Sequence, residues 1–348
     1  MDSRKKTLFT FDYELFLGKD SGTVLQTMII PTNKILKTFS RLKLKSIFFV
    51  DATYLSRLTQ LADSHPSCKA DLQLIEQQLH QLLSDQHEIG LHIHPHWLDA
   101  KYNAKTNRWD LSDNKRFAVS NLSATESEMV FKDAYAVLMN IIKKKYPTYQ
   151  IKSFRAGGLF IQPFTTFQPY FEALKIEYDF SVLRNSKWEL DHCRYDFKNV
   201  PLDFFYSFNN DVIEKDETGK FKEYTIDQIE LSIFFKILNS IYFRVSSFFL
   251  KPDTHGSGNA PNIDDTETKK KTIGNYVKSK YKETLSIENC SIVKFIPYLL
   301  YLKKTSYIHF ISHPKLIRPG QLKLFYCLIA TVNFSKRSLR FDYENWLR

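Results

Sequence analysis

A repeated alternation of short apolar segments with amphipathic ones constrains the fold most strongly. Segments rich in β-branched and aromatic residues occur at LFTFDYELFL (8–17), SIFFVD (46–51), EIGLHIHP (88–95), IKSFRAGG (151–158) and IEYDFSVL (176–183). Between or after them lie stretches with helical spacing of apolar residues, at 30–43, 70–85, 124–145 and 163–175. This order predicts a parallel sheet with crossover helices. Because the strands are apolar almost throughout, an α/β fold of the (β/α) barrel type is expected.

The later part of the chain departs from this alternation. Residues 229–250 predict a long apolar helix with a narrow polar stripe, and 251–273 predict a mobile loop rich in polar residues. SYIHFISHP (306–314) predicts one more buried strand, which again ends in a histidine. At 348 residues with 43% hydrophobic residues, the whole chain, 1–348, is expected to form a single domain.

Net charge indicates the kind of partner, and the cysteines indicate the cellular compartment. The chain has 49 Lys and Arg against 38 Asp and Glu, a net charge of +11, which favours anionic partners. The charge is spread along the chain, so no nucleic-acid partner is predicted. The four cysteines form no CxxC pair, and no signal peptide or membrane span is evident. The sequence therefore predicts a cytoplasmic protein.

Polar residues that can take part in catalysis or bind a metal lie near the carboxyl ends of the predicted strands, where barrel active sites form. On the first strand, Asp12 and Glu14 are two residues apart and project to the same face, whereas Tyr13 projects to the other. Two such carboxylates can serve one metal site, one as a ligand and the other as a free base. A pair in solvent at a turn is the alternative, against which the apolar flanks on both sides argue.

The segment EIGLHIHPHW (88–97) holds three of the ten histidines of the chain. If the strand ends at His92 and Pro95 begins a helical turn, His92 and His96 can face one ion. Two imidazoles and a carboxylate with open positions describe a catalytic divalent site. An HxH pair, His92 and His94, is also typical of metal-dependent phosphoesterases and amidohydrolases, where it normally opens the domain.

In their order and spacing, TFDYE, HIHPH, FRAGG and FISHP resemble the motifs of the metal-dependent polysaccharide deacetylases with the NodB-homology fold. The resemblance spans roughly residues 7–183 and 306–314, and it implies a distorted (β/α) barrel with additional C-terminal helices. It differs in the first motif, because Tyr13 occupies the slot of the second aspartate and the carboxylate follows at Glu14. It also differs after the arginine, where Gly157 and Gly158 stand in place of a proline.

The resemblance implies a role for each matched residue. Asp12 would be the catalytic base, Arg155 would orient it, and His313 would be the general acid. The implied metal ligands are Glu14, His92 and His96. Asp179 matches a further aspartate only weakly. The roles of His94 and His309 stay open, with a ligand role least favoured for His94 and a core or supporting role favoured for His309.

The function implied is removal of an N-acetyl or O-acetyl group from a carbohydrate, with a divalent metal as cofactor. Zinc is expected first, and manganese, cobalt and iron suit the same ligands. The expected partner is an acetylated amino sugar, nucleotide-linked or lipid-linked, such as a surface-polysaccharide precursor. The 229–250 helix could contact a membrane through its basic polar stripe. Two alternatives stay open: a phosphoesterase or amidohydrolase that uses His92 and His94, and a non-catalytic sugar-binding relative.

Overall fold

The computed structural model describes residues 6–113, 115–190, 193–247, 256–258 and 279–335. The strands in these residues are Lys6–Tyr13 (β1), Ile47–Asp51 (β2), Glu88–Ile93 (β3), Lys101–Asn103 (β4), Arg108–Asp110 (β5), Ser153–Ala156 (β6), Tyr178–Asp179 (β7), Lys187–Leu190 (β8), Cys193–Asp196 (β9), Phe205–Phe208 (β10), Phe221–Tyr224 (β11), Gln228–Ser232 (β12), Lys280–Thr284 (β13) and Tyr307–Ser312 (β14). The α-helices there are Ile30–Leu42 (α1), Ala52–Leu61 (α2), Pro66–Ser84 (α3), Ala124–Lys143 (α4), Gln168–Leu174 (α5), Ile233–Ser247 (α6), Phe295–Lys304 (α7) and Pro319–Ser335 (α8).

Eight of the described strands form one sheet in the order β10–β11–β7–β6–β3–β2–β1–β14. Every neighbouring pair in it is parallel except β10 and β11. The six strands that the sequence predicts are β1, β2, β3, β6, β7 and β14, and α-helices connect the first five of them as crossovers. The prediction of a parallel sheet with crossover helices is therefore confirmed.

The sheet is curled, so that strands far apart in its order share an interior. Leu8 of β1, Phe49 of β2 and Tyr224 of β11 belong to one small buried cluster with Phe180, which follows β7. At the seam, His309 of β14 donates from Nδ1 to the carbonyl of Thr225, just after β11, at 3.0 Å. Among the described residues, β14 and β11 are not joined by backbone pairing, and side chains connect them instead. The fold is a distorted barrel, as predicted.

A second and larger apolar core fills the space between the outside of the sheet and the helices. Phe9 and Phe11 of β1 pack against Phe39 of α1, and Phe9 also contacts Phe325 of α8. Tyr13 points into this outer core, where its hydroxyl donates to Gln78 Oε1 at 2.7 Å. The alternation along β1 therefore sends the phenylalanines and Tyr13 outward and Asp12 inward.

The prediction of one helix over 229–250 was wrong in its first part. Residues Gln228–Ser232 form a strand that pairs antiparallel with β13, and helix α6 begins only at Ile233. Burial alternates along β12, with Ile229 and Leu231 inside, which is the period of a strand rather than of a helix. Residues 248–250, and 251–273 except for 256–258, lie outside the described residues. Among the helices that are described, none has the length and apolar character needed to cross a bilayer.

Candidate metal centre

The parallel register places the polar ends of several strands at one edge of the barrel. Asp51, the last residue of β2, lies opposite His92 of β3, and His92 in turn lies opposite Arg155 of β6. On the other side, β1 pairs with β14, which brings the segment after Tyr13 beside the segment after Ser312. Carboxyl ends of parallel strands form the mouth where barrel active sites lie.

At this edge, Glu14, His92 and His94 form a buried group whose ligand atoms face one another. His94 Nε2 lies 2.8 Å from Glu14 Oε2 and 3.0 Å from His92 Nε2. His92 Nε2 lies 3.7 Å from the same Glu14 oxygen. Glu14 Oε2 is buried and makes no hydrogen bond within the described part of the chain.

Each imidazole is held in place by its surroundings. His92 Nδ1 lies 2.7 Å from the backbone carbonyl of Arg155, so Nδ1 carries the proton and the lone pair of Nε2 points into the group. The ring of His94 lies against Gly157, where a Cβ atom would come within 2.6 Å of His94 Nδ1. A residue with a side chain at position 157 would clash with the His94 ring, which explains the glycine at this position of FRAGG.

The geometry of this group fits a divalent ion. Two imidazole nitrogens and a carboxylate oxygen that lie this close to one another require a cation or a proton between them. Ligands about 2.1 Å from a tetrahedral zinc lie roughly 3.4 Å apart, which is within the range of the three separations above. A group of two histidines and one carboxylate suits zinc, iron, cobalt or manganese.

His96, a predicted ligand, is not part of this group. The prediction assumed that the strand ends at His92 and that a helical turn brings His96 round to the ion. Instead β3 continues to Ile93, and His94 still has extended backbone angles, φ −117° and ψ 103°. The period of two therefore pairs His92 with His94. The ring of His96 packs against Phe117 at 4.7 Å between centroids, and burial followed by nearby His94 lowers the pKa of His96 to about 3.

Asp12 lies beside the group and is held by Arg155. Arg155 is fully buried; its Nη1 donates to Asp12 Oδ1 at 2.5 Å, its Nη2 to Thr10 Oγ1 at 2.8 Å, and its Nε to the Phe180 carbonyl at 3.1 Å. Burial alone would raise the pKa of Asp12, but Arg155, His92 and His313 together hold it well below its usual range. His309 Nε2 lies 2.9 Å from the Thr10 hydroxyl, so it supports the arginine through Thr10.

His313, which directly follows the neighbouring strand β14, faces the same carboxylates. Its Nε2 lies 3.4 Å from Asp12 Oδ2 and 3.8 Å from Glu14 Oε1. Its Nδ1 lies 3.0 Å from Glu288 Oε1, which fixes the ring orientation. Burial opposes protonation of His313, but hydrogen bonds to Asp12 and Glu288 raise its pKa to about 10. These two carboxylates favour the protonated ring, whose Nε2 is directed at Asp12.

Four residues of the site were missed or ranked low from the sequence: His94, Lys315, Glu288 and Asp51. Lys315 Nζ donates to Glu14 Oε1 at 2.9 Å and to the Leu15 carbonyl at 2.7 Å. Burial would raise the pKa of Glu14, but Lys315, and then His94, hold this pKa well below its usual range.

Asp51 lies near the two histidines and accepts a hydrogen bond from Trp97 Nε1 at 2.5 Å. Its position at the end of an apolar strand, like that of Asp12, is the signal that could have identified it.

Asp179 is not brought to this group. It is buried and neighbours Glu223 of β11 in the parallel register, while its Oδ1 accepts from Ser181 Oγ at 2.7 Å. Burial raises the pKa of both carboxyls, and the charge of Asp179 raises the pKa of Glu223 further. The pair is best accounted for as two carboxyls that share a proton within the wall of the barrel.

Comparison with solved structures gives distant likenesses. No protein-family model matches the chain, and no curated protein matches it either. Among solved structures, the chain is similar to one provisionally assigned as a polysaccharide deacetylase from Mycobacterium smegmatis, with 11% identity, a TM-score of 0.44, and coverage of 94% of this chain and 84% of that one. It is also similar to a family 4 acetyl xylan esterase from Clostridium thermocellum in complex with cobalt, with 19% identity, a TM-score of 0.28, and coverage of 53% and 61%. Such distant likenesses carry no argument about function, which has to come from the residues of the chain.

Proposed function

We propose that this chain is a metal-dependent hydrolase that removes an acetyl group from a carbohydrate. The observation that carries the proposal is the buried convergence of Glu14, His92 and His94, whose Nε2 and Oε2 atoms lie 2.8–3.7 Å apart. A buried arrangement of that kind is costly without a cation. The neighbouring Asp12 and His313 supply a base and an acid on either side of it.

Each residue has a defined part in hydrolysis. Glu14, His92 and His94 would hold the ion, which, when bound, would lower the pKa of a water molecule and polarise a carbonyl. Asp12, fixed through Oδ1 by Arg155, has Oδ2 available to accept the proton of the attacking water. His313 Nε2 is positioned to donate a proton to the departing nitrogen or oxygen, with Glu288 holding the opposite side of the ring.

The substrate we propose is an acetylated amino sugar carried on a nucleotide or a lipid. The motif resemblance supports a carbohydrate, and the net charge of +11 suits a carrier with phosphate groups. We also propose that the reaction takes place in the cytoplasm. All four cysteines are unpaired, three of them buried, which suits a reducing compartment.

Two measurements on the purified protein test the proposal. Elemental analysis is expected to find about one divalent ion per chain, and acetate release is expected from at least one member of a panel of acetylated amino sugars. Glu14→Gln should lose the metal. Asp12→Asn should keep the metal and lose acetate release by two to four orders of magnitude. A protein that carries no metal and binds sugars equally well as wild type and as Asp12→Asn would instead be a non-catalytic relative.

A second candidate function is favoured by one observation. The structure groups His92 with His94, which is the HxH spacing typical of phosphoesterases and amidohydrolases. Assay of the metal-loaded protein against phosphate monoesters and diesters, beside the acetylated sugars, separates the two classes. Hydrolysis of a phosphate ester that is lost in His94→Asn, with no acetate release from any sugar, would replace the deacetylase proposal.

A further inference from the structure

Glu14 belongs to two overlapping groups of side chains that could ligate a cation. One is the candidate metal centre, in which His92 and His94 face Glu14 Oε2. The other joins Glu14 to Asp12 and His313, and the ligand atoms of these three residues lie within 4.8 Å of one another. In this second group, His313 Nε2 lies 3.4 Å from Asp12 Oδ2 and 3.8 Å from Glu14 Oε1. Residue types and distances alone would therefore allow two adjoining cation sites that share one carboxylate.

A carboxylate shared in this way would bridge two ions, as in two-metal hydrolases. In such centres the ions lie about 3.5–4 Å apart and together stabilise the attacking and leaving oxygens. The proposed hydrolysis requires a different arrangement, because Asp12 can act as a base and His313 as an acid only while neither binds an ion. A second ion therefore has to be kept away from Glu14 Oε1.

The side chain of Lys315 lies at that carboxylate oxygen. Its Nζ donates to Glu14 Oε1 at 2.9 Å and to the Leu15 carbonyl at 2.7 Å. The same Nζ lies 5.4 Å from the centre of the Phe16 ring. Lys315 is buried and belongs to the short turn Pro314–Leu316, so its charge is poorly screened by water. A divalent ion bound at Glu14 Oε1 would lie beside this ammonium group and would be repelled by it.

We propose that Lys315 is a positioning residue that limits the centre to a single ion. Because it binds Oε1, it leaves Glu14 one oxygen, Oε2, for the ion of the candidate metal centre. Because it is positively charged, it excludes a second ion, so that Asp12 and His313 stay available for proton transfer. This role of Lys315 deepens the proposed hydrolase function and rests on it.

Metal content and electron paramagnetic resonance of the full chain test this role without an activity assay. Wild type that is stripped of metal and dialysed against excess Mn²⁺ should retain about one ion per chain, with the spectrum of an isolated ion. Lys315→Met should retain about two ions, and their spectrum should show exchange coupling because the ions would be neighbours. Adding Asp12→Asn to Lys315→Met should return the content to about one ion, because Asp12 belongs to the second group only.

The matched control is Lys323→Met, which removes a lysine charge at an exposed position of α8. It should bind Mn²⁺ as wild type does. Circular dichroism verifies folding, and Lys315→Gln is made beside Lys315→Met, with the same expected result, in case one of them does not fold. A coupled pair of ions in wild type, which needs no variant, would overturn the proposal.

The failure of this role and the failure of the hydrolase function give different results. One ion and acetate release in wild type, with one ion also in the folded Lys315 variants, would overturn the role of Lys315 alone. Wild type that binds no ion would overturn the hydrolase function and the role of Lys315 together.

Discussion

At the scale of single residues, the conformation of one short segment decides which histidines meet. His94 keeps extended backbone angles, so it projects to the same side as His92, and both face Glu14. His96 lies beyond Pro95 in a 3₁₀ turn and packs against Phe117. The sequence indicated that the histidines of HIHPH form a metal site. Whether His94 or His96 joins His92 depended on where the strand ends.

We expect His94→Asn to weaken metal binding by about 100-fold or more, because it removes a ring nitrogen from the group. His96→Asn is the matched variant and should keep the metal, since its ring lies outside the group. Competition with a chelator, followed by elemental analysis, measures both affinities. The reverse outcome, with metal lost from the His96 variant and retained in the His94 variant, would restore the ligand set that the family resemblance implies.

A buried histidine away from the site should make stability depend on pH. Burial, and then nearby Lys45, lowers the pKa of His87 from 6.5 to about 4, while its Nδ1 lies 2.8 Å from Ser46 Oγ. The folded state thus binds fewer protons than the unfolded state between these values. The stabilising contribution is present above pH 6.5 and is lost as the pH falls towards 4.

Urea unfolding at about pH 7 and about pH 4.5 tests this dependence for wild type and for His87→Asn. We expect the wild type to lose about 2 to 3 kcal/mol more than the variant between the two pH values. The variant is less stable at neutral pH because Asn fills less of the space beside Phe48. An identical loss in both proteins would show that His87 is not kept neutral by folding.

At the scale of elements, local signals predicted the helices and strands that carry their own periodicity. The apolar strands β2 and β3 and the amphipathic helices α3 and α4 are found close to their predicted bounds, whereas β1 ends at Tyr13 rather than at residue 17. The exception is 229–250, where β12 precedes the helix. Its partner β13 begins at Lys280, so the pairing that makes it a strand is formed with a distant segment and leaves little local trace.

Helix α4 begins at a capping box that the structure defines in full. Ser123 accepts from the Glu126 backbone N–H, and Glu126 Oε2 accepts from the Ser123 N–H at 2.9 Å. Ser123→Ala should lower the free energy of unfolding by about 1 kcal/mol, because one N–H at the helix start loses its acceptor. Thr125→Ala, at an exposed position in the same turn, should change it by less than about 0.5 kcal/mol. Chemical denaturation measures both, and equal effects would argue against the cap.

At the scale of the whole molecule, the curl of the sheet brings the site together. Asp12 and Arg155 are 143 residues apart, and Glu14 and Lys315 are 301 apart, yet each pair is in direct contact. The interior bond from His309 to Thr225 fixes the seam of the barrel next to Arg155. In a flat sheet with the same strand order, Asp12 and His313 would still be neighbours. Arg155 of β6 would then be too far away to contact Asp12.

That residues 1–348 form one domain stays a prediction, and unfolding tests it. One apolar core includes residues from Phe9 of β1 to Val332 of α8, so the first and last described elements should unfold together. Thermal unfolding followed by tryptophan fluorescence and by far-ultraviolet circular dichroism should give one coincident transition. Two separated transitions would indicate that the region around α6 and α7 unfolds independently.

The sequence by itself determined the α/β class, the order of the main strands, and the residue types at their carboxyl ends. These follow from local periodicity, because a strand of period two sends Asp12 to the face opposite Phe11 and Tyr13 whatever surrounds it. Only the tertiary structure decided that His94 joins His92, that Lys315 and Glu288 hold Glu14 and His313, and that β12 is a strand. Those outcomes depend on contacts between segments far apart in the chain, whose distances are set by the twist and curl of the sheet.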